Sequence, residues 1–241
     1  MRVVEVEGLL DLLDEVFEGR ADATSRAASE HWNGILLREG HPLNTDRPDA
    51  SLVEWHRSGL LPMEKVATAL DVGCGLGRNS RWMAGFGASV TGIDIAASAL
   101  EAARGRGEGV EFREVDFLRE VVPGGPFELV YDSGCFHHLA PHRRISYLKS
   151  LREVLAPGGY FGICTFTSGL MGSDEPDDVL MRSGRLGEGV GYTEAELAEM
   201  FSWLDPIAAG PMPGQDAFDV PVFTQDFLTV ALFRNPAEDD Q

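Results

Sequence analysis

Short apolar runs alternate with segments whose apolar residues recur every three to four positions, and this rhythm organises the middle of the chain. The run from Val66 to Val72 stops at three closely spaced glycines, Gly73, Gly75 and Gly77. Arg78 to Phe86 then has helical spacing, so the pattern predicts a strand, a tight turn and a helix. The unit recurs. Ala88 to Ile95 predicts a second strand and Ala96 to Arg104 a helix. Gly109 to Phe117 and Pro126 to Asp132 predict a third and a fourth strand. Ile145 to Leu155 is helical, and Tyr160 to Phe166 is a fifth strand after the turn Pro157-Gly158-Gly159. Thr193 to Phe201 predicts a helix with Thr193 and Glu196 at capping-box spacing. Trp203 to Ala209 and Phe227 to Phe233 predict the last two strands. Alternating strands and helices imply an α/β fold, a parallel sheet covered by helices on both faces.

The glycine turn carries the first chemical signal. Asp-Val-Gly-Cys-Gly-Leu-Gly-Arg-Asn-Ser (71–80) ends a strand and opens a helix, a geometry that lets backbone approach a ligand closely. It differs from the dinucleotide fingerprint G-x-G-x-x-G, because Arg78 stands where the third glycine belongs. Asp71, just before the turn, would repel a pyrophosphate and suit a cation. Asp94 ends the second strand, near the spacing at which a carboxylate receives ribose hydroxyls in dinucleotide sites. Asp116 ends the third predicted strand and Asp132 the fourth.

An acid, one spacer and G-x-G-x-G resemble the first motif of class I S-adenosylmethionine-dependent methyltransferases. Acids at the next two strand ends and the L-x-P-G-G turn at 155–159 extend the resemblance from Leu70 to Phe166. The resemblance implies a Rossmann-like seven-stranded sheet of order 3-2-1-4-5-7-6, with strand 7 antiparallel. It also implies S-adenosylmethionine as cofactor and S-adenosylhomocysteine as product. It assigns Asp71, Gly73, Cys74, Gly75, Gly77 and Asn79 to the cofactor turn. Asp94 and Ile95 go to the ribose, Asp116 and Phe117 to the adenine, and Asp132 to the same rim.

Within this class the layout resembles the tellurite-resistance and thiopurine-type branch acting on small molecules, in which Gly-Arg-Asn-Ser (77–80) is typical. There an N-terminal segment with a P-W-x-x-x-x-P-like stretch shapes the substrate pocket. This chain departs from it, since Leu43 follows Pro42. Residues 1–62 are expected to form a helical cap over a unit spanning 63–241. Val3 to Phe17 is an amphipathic helix, Ala21 to Trp32 a second, and Ser51 to Ser58 a third, with a turn-rich stretch from His41 to Pro48. The aromatic lid is then supplied by Trp32 or Trp55, or is absent, and Trp32 reads equally as a core residue. Arg47 either holds the cofactor carboxylate or is a surface arginine. Thr167 to Tyr192 reads as a long irregular connection, either a mobile wall of the substrate site or a solvated loop.

The fourth strand runs into Asp-Ser-Gly-Cys-Phe-His-His-Leu (132–139), where the resembled class keeps its chemistry. The N/D-P-P-Y/F tetrapeptide of amino-adenine enzymes is missing, and Cys135 lacks the Pro-Cys context of the cytosine enzymes. Cys135 reads as a small apolar packer. His137 and His138 are the candidate general bases, the competing reading being rings that pack behind the cofactor or cap the next helix. A metal site on His137, His138 and His142 is disfavoured, because adjacent side chains diverge and no acid completes the set.

Composition narrows the partners. The formal net charge is −19, from 39 acids against 20 bases, and only Lys65 and Lys149 are lysines. The longest basic cluster is His142-Arg143-Arg144, so no basic stripe is available for a nucleic acid. No apolar run reaches about 18 residues, and the acidic N-terminal stretch is unlike a signal peptide. Cys74, Cys135 and Cys164 form no close pair. The expected protein is therefore a cytoplasmic monomer or homodimer that methylates a small molecule and binds neither nucleic acid nor membrane. An RNA or protein methyltransferase and a non-catalytic cofactor-binding subunit are the alternatives.

Overall fold

The computed structural model describes residues 3–17, 28–38 and 40–237. Strand β1 (Thr68–Val72) sits at the middle of the sheet because it is apolar towards both faces. Leu70 and Val72 enter one core layer and Ala69 the other. Beside it on one side lie β2 (Ser89–Asp94) and β3 (Val110–Glu114), and on the other β4 (Phe127–Ser133) and β5 (Leu155–Thr167). All four follow it in parallel. A two-residue strand β6 (Gly191–Tyr192) extends the end of β5. β7 (Asp205–Pro211) and β8 (Leu228–Arg234) complete the order β3-β2-β1-β4-β5-β8-β7, with β8 antiparallel to both neighbours. The expected seven-strand order is present along this path, its last two strands being β7 and β8. The added β6 makes eight strands.

Helices cover both faces. α6 (Pro141–Val154) and α8 (Glu194–Met200) place Tyr147, Leu151 and Leu197 against Val130, Phe161 and Phe233. On the opposite face α3 (Ala50–Arg57) and α4 (Arg78–Ala84) bring Leu52, Trp55 and Met83 onto Leu129, Tyr131 and Val230. α5 (Ala97–Arg104) packs Leu100 and Ala103 on Phe112 of β3. Thr193 and Glu196 form the capping box that opens α8.

Three expectations change. The connection from 167 to 192 is not irregular throughout: it contains α7 (Asp177–Ser183) as well as β6. The acids Asp177 and Asp178 open that helix, where its dipole favours them. The turn at 157–159 lies inside β5, whose pairing with β4 shifts register between Phe127 and Leu129. Trp55 is buried in the core beneath the sheet rather than poised as a lid.

The N-terminal region is tied down by charge. α1 (Val6–Asp14) continues into a 3-10 turn at Glu15–Phe17. It presents Glu7, Asp11 and Asp14 to Arg143 of α6, which donates to all three at 2.6–2.8 Å and is fully buried. Of the basic cluster, His142 and Arg143 are thus spent on the acidic face of α1, and Arg144 pairs with Asp177 of α7. The second helix, α2, spans Ala28–Leu36. The predicted start of that helix, at residues 21–27, lies outside the described residues.

Candidate active site

A cavity of about 560 Å³ opens over the carboxyl ends of β1, β2, β4 and β5. Parallel strands end there with unpaired backbone groups and side chains directed out of the sheet, which is where open α/β sheets bind ligands. Asp94, the last residue of β2, lines this cavity. Its two oxygens accept from the Gly75 and Ala96 amides, each at 2.8 Å, so each keeps acceptor capacity for a ligand hydroxyl. Burial pushes its pKa up, and the backbone hydrogen bonds from Ala96 and Gly75 oppose that.

The turn that presents these amides depends on glycine. Gly73 has φ +64°, and a Cβ there would lie 3.1 Å from that of Cys135. Gly77 has φ +75°, and its Cβ would meet the Phe112 ring at 2.5 Å. Of the predicted cofactor residues, Gly73, Asp94, Ile95, Asp116 and Phe117 line the cavity. Asp116 also accepts from the Leu118 amide and from Arg119. Phe117 packs edge-on against Tyr147.

The other predicted residues stand behind the wall. Asp71 accepts from Ser80 at 2.5 Å, tying β1 to α4, and burial pushes its pKa up to about 7. Asp132 is fully buried and accepts from the Cys135 and Phe136 amides and from the Tyr147 hydroxyl, which fixes the turn after β4. Burial raises it to about 7 as well. Cys74 and Gly75 support the turn from below, the Cys74 side chain packing with Leu100 and Phe112. Asn79 is engaged with Asp49, and Arg47 is exposed outside the cavity.

His137 and His138 line the cavity as a linked pair. Nδ1 of His137 accepts from the Phe166 amide at 3.2 Å, and its Nε2 lies 3.1 Å from Nε2 of His138. His138 is also hydrogen-bonded to the Glu188 backbone. His137 is likewise hydrogen-bonded to the Cys164 backbone. Burial lowers His138 to about 4 and takes His137 well below the ordinary imidazole value. Both shifts favour the neutral imidazole form near pH 7.

Trp32 meets His138 edge-on, their centroids 4.8 Å apart. The helix that carries it is fixed by Asn33, whose side-chain oxygen accepts from both the Ser98 amide and its hydroxyl. Met171 and Glu188 reach the cavity from the 167–192 connection, read from sequence as a wall of the substrate site or a solvated loop, whereas sequence reasoning missed Phe223, Gln225 and Phe227 of the β7–β8 connection. No local motif marks them. Among the described residues, no group of three or more His, Cys, Asp or Glu side chains is arranged to hold a metal, and no helix is long and apolar enough to cross a membrane.

Comparison with known proteins agrees with this geometry. Residues 69–159 match the methyltransferase domain family. A probable chloroplastic tocopherol O-methyltransferase of Oryza sativa subsp. japonica is 33% identical over 182 residues, covering 66% of this chain and 46% of that protein. An uncharacterized methyltransferase of Schizosaccharomyces pombe is 35% identical over 100 residues, covering 39% of this chain and 69% of that one. The chain spans less than half the length of the tocopherol O-methyltransferases it matches. In fold, it resembles the Burkholderia thailandensis 1,6-didemethyltoxoflavin-N1-methyltransferase crystallised with S-adenosylhomocysteine. The TM-score is 0.57 at 22% identity, over 98% of this chain and 92% of that one.

Proposed function

The chain belongs to the class I S-adenosylmethionine-dependent methyltransferases, and from that premise we propose that it transfers the methyl group of S-adenosylmethionine to a small-molecule acceptor. The observation that carries this reading is Asp94: a buried strand-end acid, held by the glycine turn, lining a cavity of about 560 Å³. The cavity's charges fit the cofactor. Among the described residues its acidic wall groups are Asp94, Asp116 and Glu188, which suit a sulfonium and an ammonium. Relatives named for tocopherol support a small acceptor.

When bound, the cofactor supplies a methyl group already activated by positive sulfur. The protein's share is then alignment and exclusion of water. Orientation of reacting groups is worth up to about 7–11 kcal/mol. Gly73 lets the backbone come close, Asp94 and Phe117 hold one end, and Trp32 with the histidine pair closes the other. With His137 and His138 as wall groups rather than bases, the site suits acceptors that are nucleophilic while uncharged, such as neutral amines.

The test is calorimetric titration with S-adenosylhomocysteine, followed by turnover of thiols, phenols and amines. Binding is expected for the native chain. Asp94→Asn should weaken it roughly 10- to 100-fold, the value of a charge-assisted hydrogen bond. Equal affinity in the variant would remove Asp94 from the site.

A further inference from the structure

The cavity has two chemically different ends. Asp94, Asp116 and Phe117 mark one, at the tips of β2 and β3. At the other a row of touching rings arrives from four separate parts of the chain. Trp32 of α2 packs edge-on against His138 at 4.8 Å, and His138 against Phe166 at 5.6 Å. Phe166, at the end of β5, packs edge-on against Phe227 at 6.1 Å. All four rings line the same space, with Met171 beside them. His137 stiffens the row from behind, stacked on Phe166 with centroids 3.7 Å apart.

No lysine or arginine stands on the cavity wall among the described residues. Arg78, behind the wall, is engaged elsewhere: it is paired with Asp49, bonded to Ser133 and covered by the Phe223 ring. Four histidines line the cavity: burial takes His137 and His138 below the ordinary imidazole value and lowers His41, while His31 packs edge-on against Trp32. An anionic group entering this end would be desolvated with no lysine or arginine beside it and would meet Glu188 on the wall. A flat apolar ring meets edges and faces suited to offset or edge-on contact, each such pair worth about 0.5–1.5 kcal/mol beyond its burial. Gln225 supplies an amide that can donate to or accept from one polar substituent.

We propose that the acceptor is a planar aromatic compound without carboxylate or phosphate, received between Trp32 and Phe227, and that the ring-lined wall rejects its anionic counterparts. This rests on the functional reading above, since it assigns the remaining space to the acceptor.

The experiment uses two probes that differ in one group, 2-naphthol and 6-hydroxy-2-naphthoate. Each is titrated by calorimetry into the full chain, with and without saturating S-adenosylhomocysteine. The neutral probe is expected to bind at least tenfold more tightly, and Trp32→Ala and Phe227→Ala should each reduce that binding by about fivefold or more. Gln225→Arg, which introduces a cation at the rim, should narrow the gap between the probes. Equal or tighter binding of the carboxylate in the native chain overturns the proposal, as does failure of both probes in a protein that still binds S-adenosylhomocysteine. Loss of S-adenosylhomocysteine binding itself would overturn the underlying functional reading instead, and this proposal with it.

Discussion

Arg78 and Asp49 form a buried ion pair, Nη1 to Oδ1 at 2.8 Å, with both side chains at least nine-tenths removed from solvent. The pair sits where four segments meet. Asp49 also accepts from Asn79 and from the Tyr131 hydroxyl, which in turn contacts Ser51. Arg78 reaches Ser133 at the end of β4 and lies 4.2 Å from the Phe223 ring centroid. The backbone follows, since Phe223 and the segment Pro48–Ala50 exchange two hydrogen bonds. The link between the N-terminal region, the first helix of the sheet and the β7–β8 connection is therefore polar and fully satisfied.

Removing one partner leaves a buried charge unpaired. Asp49→Ala should lower stability by about 3–5 kcal/mol, read from urea unfolding. The double variant Asp49→Ala, Arg78→Met should lose less than the sum of the two single changes. Additive losses would show that the pair is not coupled.

Gly77 tests the turn. Alanine there must adopt φ +75° and place its Cβ 2.5 Å from the Phe112 ring. We expect a loss of more than about 2 kcal/mol, partly recovered by Phe112→Leu, because the left-handed backbone alone costs about 1–2 kcal/mol. A loss below about 1 kcal/mol would contradict the contact.

The histidine pair predicts a pH profile. With His138 at about 4 and His137 also displaced downwards, neither ring should contribute an ionisation to kcat/KM between roughly pH 5.5 and 8. His138→Gln should reduce kcat/KM by less than about tenfold, whereas loss of a general base costs about 10²–10⁴-fold. A bell-shaped profile that disappears in His138→Gln would restore the base assignment.

Asp14 anchors α1. Burial alone raises its pKa, but hydrogen bonds from His142 and Arg143 and the charges of Arg143 and Arg119 outweigh this and bring it from 3.8 to about 2. A carboxyl lowered in the folded state stabilises it above the unfolded value and loses that contribution as pH falls through the folded one. The difference in unfolding free energy between native and Asp14→Asn should therefore be largest near neutrality. It should shrink by on the order of 2 kcal/mol between about pH 4 and 2. A difference constant over that window would detach Asp14 from the arginines.

The strand–helix order, the sheet topology and the glycine turn were legible because each depends on short-range periodicity and on backbone conformations that glycine permits. Asp94 and Gly73 could be placed at the ligand end for the same reason: a strand's last residue lies at the sheet's edge whatever else the chain does. Roles that depend on distant partners were not legible. Asp71 and Asp132 have the same sequence context as ligand-binding acids, but Ser80 and Tyr147 seal them inside. The bonds of His137 to the Phe166 amide and of His138 to the Glu188 backbone come from segments far along the chain, which the His-His dipeptide does not announce. Asp49 carries no local signal, and the ring-lined wall is assembled from residues nearly two hundred positions apart, from Trp32 to Phe227. Local pattern decided which elements form and where the turn opens. Burial and pairing across the sheet, properties of the folded chain alone, decided which polar groups face the ligand and which hold the fold together.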